Sequence, residues 1–148
     1  MSKARLEAFS DGVFAVAITL LVLNLHVPPA STRLGHDLAV MWPQYAAYVT
    51  SFMTIGIIWI NHHAMINRLR DVDHPVLILN LILLMSVAVL PFATDLMATY
   101  LKRSQGEHVA AAVYSGSFLL MAICFSTLNG QILSPKAHLS SDAPSAQW

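Results

Sequence analysis

The apolar positions of this chain fall into four long blocks separated by short polar connections. The blocks cover residues 9–27 (core AVAITLLVLNL), 43–62 (core YVTSFMTIGIIWI), 75–98 (core VLILNLILLMSVAVLPF) and 109–129 (core AAAVYSGSFLLMAICFSTL). A helix needs about 20 mostly apolar residues to cross the hydrocarbon of a bilayer. Each block meets that length, so the pattern predicts four transmembrane helices. The predicted fold class is all-α, a polytopic membrane helical bundle with four transmembrane helices.

The connections fit this division. Pro28-Pro29-Ala30-Ser31-Thr32 cannot continue a helix and ends the first span. Residues 67–75 are charged and close on Pro75, a residue suited to a helix start. Lys102-Arg103-Ser104-Gln105-Gly106-Glu107 is a polar turn. The small, polar stretch 134–148 reads as a flexible tail behind one membrane domain, residues 1–133. The first block lacks an A-x-A cleavage site and follows the polar pair Ser10-Asp11, so it reads as a retained span rather than a signal peptide.

Composition removes the other classes. Of the 148 residues, 56% are hydrophobic and 11% charged, where a soluble domain carries about 25% charged residues. A mean hydropathy of +0.60 excludes disorder as the main state. The net charge of +0 offers no footprint for nucleic acid. Cys124, the single cysteine, makes no internal disulfide and no metal cluster. Orientation follows from Lys and Arg. An inside N-terminus puts Lys3, Arg5, Arg68, Arg70 and Lys136 in the cytoplasm and Arg33, Lys102 and Arg103 on the other side, which predicts a cytoplasmic N-terminus in the cell membrane.

Polar groups inside hydrocarbon are costly and mark interior or functional positions. With four antiparallel spans they gather near one membrane boundary: Arg5, Ser10 and Asp11, then Asn61, His62, His63 and Asn67, then Asn80, then Thr127, Asn129 and Gln131. The opposite half holds mainly Asn24, His26 and Asp95. Arg5 and Asp11 are six residues apart and point to different faces, so the partner of Asp11 is expected from another span; His62, His63, Asn80 and an arginine of the second loop are the candidates. His62 and His63 diverge by about 100° on a helix and do not chelate one ion. No nucleophile elbow or phosphate-cradling motif is present. Neither an enzymatic activity nor a bound cofactor is expected.

On the first span Val16, Leu20 and Leu23 share one helix face, bordered by Thr19. Such a stripe faces lipid, another helix or a pore. The stretch Arg5-x-x-x-Phe9-Ser10-Asp11-Gly12-Val13-Phe14-Ala15-Val16-Ala17-Ile18-Thr19 resembles the R-x-x-x-F-S-D signature of the transmembrane protein 175 family, which contains endolysosomal and prokaryotic potassium channels. Trp59-Ile60-Asn61-His62-His63, Asn80 and Leu90-Pro91-Phe92 extend the resemblance, which runs from about Arg5 to Gln131.

The resemblance implies a homotetramer whose pore is lined by the first helix of each subunit. It places a constriction of apolar side chains at Val16, Leu20 and Leu23, with Thr19 beside it. It implies that Arg5, Phe9, Ser10 and Asp11 hold the cytoplasmic end together, with Trp59, His62 and Asn80 as partners. The permeant ion would be potassium. Val16 stands where the family often carries isoleucine, which predicts a wider ring. Asp11 concentrates cations at the mouth if it is unpaired, and does not if it is tied to Arg5 or His62. Family subunits usually have six spans where this sequence has room for four. That leaves a second reading, a non-conducting membrane subunit with an assembly or regulatory role. A carrier using Asp11 and the histidines ranks third, since it needs a broken helix near mid-membrane.

Overall fold

The computed structural model describes residues 1–134. Five helices and no strands occur among them: α1 (Lys3–Leu20), α2 (Leu34–Val40), α3 (Trp42–Asn67), α4 (His74–Tyr100) and α5 (Glu107–Ile132). A 3₁₀ turn, Leu21–Asn24, prolongs α1. Apart from Ser134, the expected tail lies outside the described residues, as does Lys136 of the charge count.

Four elements are long and apolar enough to cross a membrane: α1 with its 3₁₀ turn, α3, α4 and α5. They are 22 to 27 residues long, or about 33 to 40 Å at 1.5 Å per residue, against about 30 Å of hydrocarbon. The helices run past most of the apolar blocks. Backbone hydrogen bonds continue through polar residues, so α3 carries Asn61 to Asn67 on its last two turns. The opposite happens at the first span, where the helix stops at Asn24 and Leu25 is extended. Residues 34–40 add the short α2 to a connection the apolar blocks left without structure.

Local chemistry sets the ends. Ser2 Oγ accepts the backbone N–H of Arg5 at 3.3 Å and caps α1. Asp73 accepts the N–H of Val76 at 3.2 Å, with Pro75 in the first turn of α4. Gly106 opens α5 at φ +85°, a left-handed conformation open to glycine, and a Cβ there would meet the Tyr100 ring at 2.9 Å.

α4 is the central element and packs against α1, α3 and α5. Leu83, Val87 and Leu90 of α4 are fully buried, against Leu6 and Phe14 of α1, Ile55 and Ile66 of α3, and Leu128 of α5. In lipid this packing is held by close van der Waals fit and interhelical hydrogen bonds, because hydrocarbon solvates the apolar side chains as well as the core does. Large apolar side chains accordingly stay exposed all round the bundle, among them Ile57, Met85, Phe92 and Ile123.

Candidate functional site

α1 is a helix with two unlike sides. Its inward side carries Leu6, Ser10, Phe14 and Ala17, all buried. These positions recur every three or four residues, so they form one stripe. Ser10 is the polar member. Its hydroxyl lies 2.8 Å from the Leu6 carbonyl and 3.0 Å from Asn80 Nδ2. His62 Nε2 lies 2.7 Å from Asn80 Oδ1. All three side chains are fully buried.

The protons of this network follow from its geometry. A carbonyl only accepts, so the single Ser10 proton goes to Leu6. Ser10 must then accept from Asn80, which turns the Asn80 amide nitrogen toward Ser10 and its oxygen toward His62. An amide oxygen only accepts, so His62 Nε2 carries a hydrogen. Nδ1 of the same ring has no hydrogen-bond partner among the described residues. Phe14 covers the ring, with centroids 5.2 Å apart. The chain His62→Asn80→Ser10→Leu6 thus ties α3, α4 and α1 together.

A second tie joins α1 to α3 alone. Trp59 Nε1 donates to Asp11 Oδ1 at 2.9 Å. One turn away, His63 Nδ1 and Glu7 Oε1 are 2.7 Å apart. Glu7 and Asp11 are four residues apart on α1, and Trp59 and His63 four apart on α3. Two helices crossing antiparallel match such pairs in reverse order, Asp11 with Trp59 and Glu7 with His63. The sequence holds this signal as two i, i+4 pairs, but the reading above singled out Asp11 and Trp59 without Glu7.

The remaining residues divide plainly. None of the candidates for Asp11 drawn from the polar pattern is its hydrogen-bond partner; that partner is Trp59, one of those the resemblance implied. Arg5 and Phe9 are exposed and join neither network. Thr127 bonds the Ile123 carbonyl of its own helix, and Asn129 and Gln131 are partly exposed. The polar end of α5 therefore lies at the same end of the bundle as the cluster but joins neither network. The two adjacent histidines part as expected, one to Asn80 and one to Glu7.

The outward side of α1 carries the apolar stripe. Val16, Leu20 and Leu23 are 57%, 42% and 70% exposed within the protomer. Leu23 lies on the 3₁₀ turn and keeps to that side, while Leu21 beside it is fully buried. Thr19 is exposed, and its proton is directed at the carbonyls of Ala15 and Val16, 2.8 and 3.0 Å away. What Thr19 offers outward is an acceptor oxygen. Asp11 is five residues from Val16, about 140° round the helix. It points to α3 and not along the stripe.

Sequence reasoning passed over a third polar group. Thr94 Oγ1 lies 2.8 Å from Ser51 Oγ and 2.7 Å from the Leu90 carbonyl, and Ser51 Oγ lies 2.8 Å from Tyr114 OH. Each hydroxyl has one proton, so the arrangement that serves every contact runs Tyr114→Ser51→Thr94→Leu90. It links α5, α3 and α4. At the far end of α1, Asn24 Nδ2 donates to the Pro91 carbonyl of α4 at 2.8 Å. α1 is thus pinned at both ends on one side and bare on the other.

Comparison with known proteins bears on this arrangement. The family described as endosomal/lysosomal potassium channel TMEM175 matches residues 5–91. A protein named as a potassium channel in Streptomyces collinus is 46% identical over 153 residues, a match covering 98% of this chain and 72% of that one. One so named in Chamaesiphon minutus is 47% identical over 128 residues, covering 84% of this chain and 63% of its own, so the chain spans less than two thirds of that relative. The crystal structure of a lysosomal potassium-selective channel TMEM175 homolog from Chamaesiphon minutus superposes with a TM-score of 0.85 at 42% identity, over 94% of this chain and 76% of that one. The family match takes in Ser10, Asp11, Trp59, His62 and Asn80 together with the whole exposed stripe of α1, and the chain belongs to the TMEM175 family.

Proposed function

We propose that this chain is the subunit of a passive, potassium-permeable cation channel. It assembles with copies of itself as a homotetramer in the cell membrane, with the N-terminus in the cytoplasm and α1 lining the pore. One observation carries the reading. α1 is pinned on one side by Ser10, Asp11 and Asn24, while its apolar stripe is left uncovered in the protomer. Relatives named as potassium channels support it.

In this reading Val16, Leu20 and Leu23 from each copy form the constriction. A narrow apolar ring resists water and ions by dewetting, and opens when it is wide enough for an ion to pass partly hydrated. Potassium sheds water more readily than sodium, which sets the direction of selectivity. The Thr19 oxygen beside the ring replaces part of the lost hydration. The polar networks do no chemistry; they hold α1 at the angle and depth that fix the ring. No bound cofactor takes part, and potassium itself is the only small partner.

The test is flux into proteoliposomes containing this chain alone, with potassium and sodium compared. Flux that favours potassium supports the channel. Absence of flux from protein shown to be folded overturns it and favours the non-conducting subunit.

A further inference from the structure

Arg5 stands eleven residues before Val16, which is close to three helical turns, so the two side chains leave α1 within about 20° of each other. Phe9 and Gly12 fill the face between them, and both are exposed. The outward face of α1 therefore reads Arg5, Phe9, Gly12, Val16, Leu20, Leu23, with one cation at its N-terminal end, about 16 Å below Val16.

That cation has no acidic partner among the described residues of the protomer. The first turn of α1 holds no acidic residue. The two acids further along the helix point elsewhere: Glu7, about 180° from Val16, meets His63, and Asp11 meets Trp59. Lys3, the other basic residue of α1, is turned to the Asn67 carbonyl.

We propose that Arg5, one per subunit, forms a cationic ring at the N-terminal mouth of the pore and acts there as a valence filter that excludes divalent cations. The inference rests on the reading of α1 as the pore helix. The physics is that of a positive surface potential. It lowers the local concentration of a cation by a factor that is squared when the charge doubles. A ring that holds potassium to about half its bulk concentration holds magnesium to about a quarter. The mouth gives up some potassium entry and gains exclusion of the ions that would lodge at the constriction. Hydration sorts potassium from sodium at Val16, Leu20 and Leu23; charge sorts monovalent from divalent at Arg5.

The experiment records currents through channels reconstituted from this chain, with magnesium titrated on either side. In Arg5→Gln, potassium current from the N-terminal side rises about twofold at low salt, and block by magnesium from that side becomes about fourfold more sensitive. Magnesium from the other side acts as before. The differences fade in molar salt, where screening reaches only about 3 Å. Arg5→Lys keeps the parent behaviour. Arg5→Cys behaves as Arg5→Gln until a quaternary-ammonium thiol reagent restores the charge on a channel already folded; the unsubstituted chain, whose Cys124 is buried, controls for the reagent. Leu23→Cys separates the two ideas. If the reagent blocks Leu23→Cys while every Arg5 variant keeps the parent magnesium response, the filter is overturned and the pore stands. If Leu23→Cys is also indifferent, or the chain carries no current, the pore reading falls and the filter with it.

Discussion

The Asn80 amide donates to Ser10 Oγ at 3.0 Å and joins α4 to α1 through two side chains that see neither water nor lipid. With its other end Asn80 accepts from His62. A single residue therefore satisfies one polar group on each of two neighbouring helices, and its own position is over-determined by them.

Loss of Asn80 is the costliest change in this network. Asn80→Ala strips His62 of its acceptor and Ser10 of a donor, at about 1–2 kcal/mol for such bonds within membranes. Ser10→Ala leaves His62 satisfied and costs less. Thermal midpoints of the purified protein in detergent, ordered parent above Ser10→Ala above Asn80→Ala, are expected. A midpoint for Asn80→Ala equal to the parent's removes the structural role assigned to the network.

Asp11 acts as an acceptor for the Trp59 indole N–H. Asp11→Asn keeps an oxygen for the indole N–H, whereas Asp11→Ala leaves it without a partner. Native mass spectrometry is expected to find the assembled oligomer depleted in Asp11→Ala and in Trp59→Phe, and largely retained in Asp11→Asn. Full assembly of Asp11→Ala contradicts this role.

The hydroxyl chain of Ser51, Thr94 and Tyr114 has a direction, and the direction is testable. Tyr114→Phe removes the donor at its head and orphans no proton, at a few tenths of a kcal/mol. Thr94→Val removes the acceptor of the Ser51 proton inside the bundle, at about 1 kcal/mol. Denaturation midpoints that rank the two variants the other way reverse the assigned direction.

Truncation along the α1 stripe alters selectivity before it alters stability, because these side chains are exposed in the protomer. Leu23→Ala and Val16→Ala widen the ring and let sodium pass with more of its water. Reversal potentials in opposed sodium and potassium gradients shift toward the non-selective value in both. Unshifted reversal potentials in both variants locate the constriction elsewhere.

The sequence reading gave four spans and the structure has four helices long and apolar enough to cross a membrane, most of them longer than the apolar blocks for a physical reason. An apolar block ends where side chains become polar, but a helix ends where its hydrogen-bond ladder does. Hence α3 runs on through His62, His63 and Asn67. His62, the last residue of the apolar block, meets Asn80, and His63, the first beyond it, meets Glu7. The stripe Val16, Leu20, Leu23 was legible because helical periodicity is local. The part played by Glu7 was not, since a surface carboxylate near a helix start reads as ordinary until its opposite number on α3 is known. Ser51, Thr94 and Tyr114 were missed because a single hydroxyl within an apolar block carries no periodic signal.

By itself the sequence determined the helical class, the number of membrane spans, the apolar stripe of α1 and the polar residues near its start. Each depends on hydrophobic length and on a repeat of 3.6 residues, properties of one segment alone. The tertiary structure decided who pairs with whom: Trp59 rather than a histidine for Asp11, Asn80 for both Ser10 and His62, and no partner for Arg5 among the described residues. Those pairings depend on which helices are neighbours and in what register they cross. Lipid leaves that choice open, because hydrocarbon accepts any apolar face equally, and only close packing and the few buried hydrogen bonds select among the arrangements.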